Sequence, residues 1–186
     1  MRLFRRTPLP PAVQAVRQRL HPGEQRLAAS AVAPGGADAP WLVATTRALW
    51  LPAEGRLPGE AGLPGDTEPR RLPWESIARV TWRDDVFTVV EAGPDGGPLA
   101  DRTSVFRLVD AKGFPDAVHD RVTASVVWSQ HHRLRGSAGV RVLARRTESG
   151  QVVWSLVYDP GVDPLDPVLS ARAEALLAES RSELGV

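Results

Sequence analysis

The hydrophobic rhythm of the chain changes several times, and each change marks an element. In "PPAVQAVRQRL", residues 10–20, Val13, Val16 and Leu20 recur at helical spacing behind Pro11, which suits a first helical turn. His21, Pro22 and Gly23 end that short helix. From Glu24 the period shortens, and "EQRLAASAVA" predicts a first strand closed by the turn-rich "PGGADAP". The next stretch, "WLVATTRALWL" at 41–51, is apolar except for Thr45, Thr46 and Arg47. As one strand it would carry polar groups into a core; as a tight hairpin it gives two short strands, 41–44 and 48–51, and makes Thr46→Gly a mild change. "RRLPWESIARVTWRDD" offers Ile77, Val80 and Trp82 as apolar positions before an Asp84-Asp85 turn into "VFTVVEAG". In "TSVFRLVD" Val105 alternates against Phe106 and Leu108 across the two faces of a strand.

The pattern then turns helical. Phe114, Val118 and Val122 recur at a spacing of four, predicting a helix from 114 to about 128 whose Val and Thr content weakens it beyond Ala124. "HHRLRG", "GVRVLARRT" and "VVWSLVYD" predict a strand and then a hairpin turning at Glu148-Ser149-Gly150. A terminal helix follows, with Asp163 as N-cap, Pro164 at its first position, and Leu165, Leu169, Ala173, Leu176, Leu177, Ser180 and Leu184 along one face. The segments 53–69 and "GPDGGPLADR" are dense in Gly and Pro and predict exposed loops, the first of them long and mobile. Six strands, a helix, two or three further strands and a last helix make an α+β protein. Its turns are too short for crossover helices, so the strands pair antiparallel.

Composition narrows the function classes. The absence of Cys removes disulfides, thiolate nucleophiles and Cys-ligated metal sites, and fits a reducing compartment. No run approaches the ~18 apolar residues of a spanning helix, and Pro8, Pro10, Pro11, Gln14 and Arg17 interrupt any signal-type core. These features predict a cytoplasmic protein. The net charge is only +1, without the field that drives indiscriminate nucleic-acid binding. Charge is nevertheless uneven: Arg2, Arg5, Arg6, Arg17 and Arg19 precede the first acidic residue, making residues 1–20 a basic arm with a short helix. Lys112 is the only lysine among the 23 basic residues, a bias read first as genomic composition and second as anion recognition.

Three stretches taken in order, "LHPGEQRLAAS" (20–30), "WLVATTRALWLP" (41–52) and "RLPWESIARVTW" (71–82), resemble bacterial pleckstrin-homology-like (PH-like) domains of the GRAM-related kind found in small actinobacterial proteins. The resemblance covers residues 20 to about 128. It implies a bent antiparallel β-barrel capped by a helix over 21–128; the strand pattern beyond it adds 129–186 as a C-terminal β-hairpin plus helix extension. It also implies a non-enzymatic binding or adaptor module. The loop 53–69 is long for the type and the tail is an addition. No Lys-rich phosphoinositide pattern matches, so no lipid-binding residue carries over.

Individual chemical signals are thin. His131 and His132 are adjacent, so in a strand they point to opposite faces, and His119-Asp120 diverge on a helix. Asp159, Asp163 and Asp166 each precede Pro or sit in a turn entering a helix, as capping residues do. Ser137 in "RGSAG" lacks the strand-to-helix setting of a nucleophile elbow, and "GPDGG" has no helix N-terminus behind it. No catalytic residue, metal or cofactor is therefore expected. The six Trp read as core or half-buried fillers, which leaves nucleic acid disfavoured. Arg133 and Arg135 share one strand face and Arg141 and Arg145 another, with Arg146 beside them. If the faces coincide they form an Arg-lined patch for carboxylate or phosphate. The leading expectation is a protein or peptide partner; the alternative is a peripheral module binding anionic lipid through its Arg-rich patches.

Overall fold

The computed structural model describes residues 9–36, 39–52, 68–92 and 102–185. The N-terminal arm with Arg2, Arg5 and Arg6, nearly all of the loop 53–69, and the loop 93–101 lie outside the described residues. The protein is α+β. In chain order it has α1 (Pro11–Gln18), β1 (Arg26–Val32), β2 (Trp41–Thr45), β3 (Ala48–Leu51), β4 (Arg70–Pro73), a single 3₁₀ turn at Trp74–Ser76, β5 (Ile77–Arg83), β6 (Val86–Glu91) and β7 (Arg102–Val109). It continues with α2 (Phe114–Ser125), β8 (Val126–Arg135), β9 (Ala138–Arg146), β10 (Val152–Tyr158) and α3 (Pro167–Glu183).

The first seven strands form one antiparallel sheet in the order β4-β3-β2-β1-β7-β6-β5. Its edge strands β4 and β5 do not pair with each other. Across that opening Arg70 of β4 grips Glu91 of β6 with both terminal nitrogens, at 2.9 and 2.6 Å. The concave side buries Leu42, Leu49, Leu72, Ile77, Phe87 and Val89, and α2 closes it by inserting Phe114, Val118 and Val122. Each such side chain contributes about 1.5–3 kcal/mol when fully buried. On the opposite face of β2 and β3, α1 packs Val13 and Val16 against Val43, Ala48 and Trp50. Two covered faces explain why residues 41–51 read as one apolar run, without the alternation of a half-buried strand. The β5–β6 hairpin turns on Asp84 and Asp85, both at positive φ (48° and 61°), the conformation a two-residue hairpin turn with the right twist requires.

The last three strands form a second antiparallel sheet, β10-β9-β8, with α3 on one face. Val140, Val142, Trp154 and Leu156 meet Ala173 and Leu177 there. Thus seven strands, not six, precede α2, and three follow it. The expected helix to about residue 128 ends at Ser125: the β-branched pair Val126-Val127 opens β8, so Trp128 lies in a strand and stacks obliquely on Trp154. Helix α3 also starts later than its sequence suggests. Asp166, not Asp163, is the N-cap, accepting hydrogen bonds from the Val168 and Leu169 amides. Asp163 caps a separate turn through the Leu165 amide, and Leu165 stays exposed outside the helix. Among the described residues no helix is long and apolar enough to cross a membrane.

Candidate anion-binding cleft

The hairpin turn at Thr45–Ala48 positions the first residue of the site. Thr45 is completely buried, although a turn residue of its polarity is expected at the surface. Its Oγ1 accepts hydrogen bonds from the amides of Arg47 (3.3 Å) and Ala48 (2.9 Å), folding the chain back without any left-handed residue. The same hydroxyl donates its proton to Glu24, a charged acceptor that outcompetes the nearby carbonyl of Ala48. Glu24 is buried as well. Burial alone would raise its pKa, but hydrogen bonds from Thr45, the His21 amide and Trp50, with the charge of Arg71, lower it below the usual carboxylate value. The outcome is a rigid turn that presents Arg47 outward, beside an Arg71 held 3.8 Å from the Glu24 carboxylate.

Opposite this turn lies the tip of the β9–β10 hairpin. Its Glu148 receives Arg47 Nη1 on one carboxylate oxygen at 2.6 Å and Arg71 Nη2 on the other at 2.7 Å. His21 Nδ1 stands 3.8 Å from the first oxygen. Burial pushes the Glu148 pKa up, but the two guanidiniums outweigh it and hold it below the ordinary value.

A cleft of about 290 Å³ opens next to this contact, between the two sheets. Arg47, Glu148 and Arg146 line one part of it, and Trp74, Glu75 and Arg121 another. Arg121 and Arg146 are exposed and form no ion pair among the described residues. The last turn of α2 also lines the cleft, and a bare helix C-terminus repels anions. Arg145 removes that objection. It is 2% exposed and lies under the end of α2, with Nη1 on the Val122 carbonyl (2.9 Å) and Ser125 Oγ (2.7 Å) and Nη2 on the Ala78 carbonyl (3.2 Å). Ala78 sits at the β5–β6 bulge, where ladder pairing is interrupted. Burial lowers the Arg145 pKa to about 10, which leaves it charged at neutral pH.

Of the four arginines expected to form one patch, Arg145 is withdrawn from it. Arg145 is consumed by main-chain carbonyls and is not open to a ligand. Arg133 and Arg141 are exposed on the face of the second sheet that points away from α3, and Arg135 is exposed beside the Gly136–Ser137 turn. Arg141 shares its neighbourhood with His131 and Asp159, which are joined at 2.7 Å. That bond, despite partial burial and with help from the Gly139 amide, His131 and Arg141, lowers the Asp159 pKa. Asp159 thus ties β8 to β9 and caps no helix. Among the described residues no three His, Asp or Glu side chains gather closely enough to hold a metal ion.

Of the cleft residues, Arg47 and Arg146 stand out in the sequence as a polar interruption and as part of a basic cluster. Arg121 does not, and its only local signal is a position on the exposed face of α2 near the C-terminus. The chain matches no protein-family model and no curated protein, so the functional reading rests on the geometry of the cleft itself.

Proposed function

We propose that the chain is a non-enzymatic PH-like binding module that takes an acidic group of a protein or peptide into the cleft between its two sheets. One observation carries the reading. Arg47, Arg121 and Arg146 come from a hairpin turn, a helix and a strand end, and all three reach one cavity of about 290 Å³. A cavity of that size fits a side-chain carboxylate or phosphate with part of its backbone, and guanidiniums recognise such groups through paired N–H bonds. The PH-like part of the proposal is supported by the run of seven antiparallel strands followed by one helix that fills their concave side.

The test is an array of short acidic, phosphorylated and neutral peptides probed with the full chain and with the Arg121→Glu/Arg146→Glu double variant. The proposal expects retention on anionic peptides that the variant loses. Equal retention of both proteins, or none above the neutral peptides, overturns it. Co-sedimentation with anionic vesicles in the absence of peptide binding moves the ligand to a membrane surface.

A further inference from the structure

We infer that Glu148 is the resting occupant of this anion site, an internal carboxylate that an external acidic group must displace. The inference rests on the binding reading above and adds its regulation. Three observations support it.

First, the receptor for Glu148 belongs to the seven-stranded sheet and not to the hairpin that carries the glutamate. Arg47 and Arg71 project from β2–β3 and β4, and each takes a different carboxylate oxygen. Arg71 is backed by the buried Glu24, which is itself fixed by Thr45, the His21 amide and Trp50. This is a preorganised carboxylate receptor. Second, the receptor opens into the cleft. Arg47 and Glu148 line the cavity whose other arginines, Arg121 and Arg146, have no acidic partner among the described residues. A second carboxylate entering there meets free guanidiniums first and then competes with Glu148 for Arg47.

Third, the latch is weak where it must open and strong where it must hold. The Glu148 and Arg47 side chains are 30% and 38% exposed, so water screens their pair, while Arg71, at 18%, is the more buried of the two partners. The Arg47 contact is therefore the first to yield when Glu148 turns to water. Three residues earlier, Arg145 anchors β9 beneath α2 through three buried hydrogen bonds. The tip of the hairpin, turned at Gly150 in the left-handed conformation (φ 86°), can therefore lift while the second sheet stays docked.

A fluorescein-labelled hexaglutamate peptide, followed by anisotropy at low salt, tests the inference on the full chain, Glu148→Gln and Glu75→Gln. Glu75 lines the same cleft without an arginine partner among the described residues, so its substitution removes an equal charge without emptying a receptor. The expectation is a roughly fivefold gain in affinity for Glu148→Gln, the weight of a latch closed about four-fifths of the time, and under about twofold for Glu75→Gln. Equal affinity of Glu148→Gln and wild type overturns the latch alone, as does an equal gain in both variants, which bulk charge would produce. Absence of binding by wild type and Glu148→Gln overturns the binding reading and the latch together.

Discussion

Replacing Arg145 by Met keeps the inner, unbranched part of the side chain and removes the guanidinium with its charge. The buried guanidinium, with its pKa lowered to about 10, carries a desolvation cost of about 3 kcal/mol that Met relieves. Against this stand three hydrogen bonds from a charged donor, each worth about 1.5–3 kcal/mol. Their acceptors do not suffer equally. The Val122 carbonyl keeps the Ser125 hydroxyl at 2.6 Å, whereas the Ala78 carbonyl, at the β5–β6 bulge, loses the Arg145 bond with no side-chain donor to replace it among the described residues. The balance is a net loss of about 3 kcal/mol. Urea unfolding followed by tryptophan fluorescence measures it, with Arg141→Met as the exposed control on the same strand face, expected within about 0.5 kcal/mol of wild type. Amide exchange should locate the loss at 122–126 and 138–146. A variant as stable as wild type would refute the reasoning, because dry packing would then suffice at this position, as it does for some buried ion pairs.

Three further outcomes follow from the same contacts. Glu24 has a lower pKa folded than unfolded, so the folded state binds fewer protons and its contribution is full above about pH 5 and fades as pH falls below about 4. Glu24→Gln should cost about 1–3 kcal/mol at pH 7 and a smaller amount at pH 3, and an unchanged gap in urea midpoints at the two pH values would count against the bonding described. Thr45→Val removes the hydroxyl that builds the turn and binds Glu24, and should lower thermal stability by about 2–3 kcal/mol. Thr46→Gly keeps its amide bond to the Gln25 carbonyl and should cost only about 1 kcal/mol; the reverse ranking would remove Thr45 from that role. At Gly139 a Cβ would fall 1.9 Å from the His132 carbonyl oxygen, so Gly139→Ala should cost about 3 kcal/mol or more, and a soluble variant with a wild-type melting curve would contradict the strand packing there.

Local pattern carried much of the architecture. Proline at Pro11 and the Val13–Val16 spacing mark α1, alternation marks β7, and Phe114, Val118 and Val122 mark the buried side of α2. These signals survive in one dimension because each side chain needs only to know which face of its own element is covered. The errors arose where local propensity leaves a choice that packing then makes. Val126 and Val127 could extend a helix or open a strand, and pairing with β9 decided for the strand. Two acidic residues three positions apart could each cap α3, and the docking of Ala173 and Leu177 selected Asp166.

The site divides in the same way. The sequence alone determined that this is a Cys-free α+β chain with antiparallel strands, arginine as nearly its whole positive charge, and a polar break at Thr45–Arg47. It assigned the break to a turn and grouped Arg133, Arg135, Arg141 and Arg145 by strand periodicity. Only the tertiary structure buried Thr45 against Glu24, sent Arg145 beneath a helix end, and brought Arg47, Arg121 and Arg146 from positions as many as 99 residues apart to one cleft. The physical reason is that periodicity specifies which face a charge occupies within its element, while its role depends on what that face meets. An arginine facing main-chain carbonyls becomes structure, and one facing an open cleft remains available to a ligand.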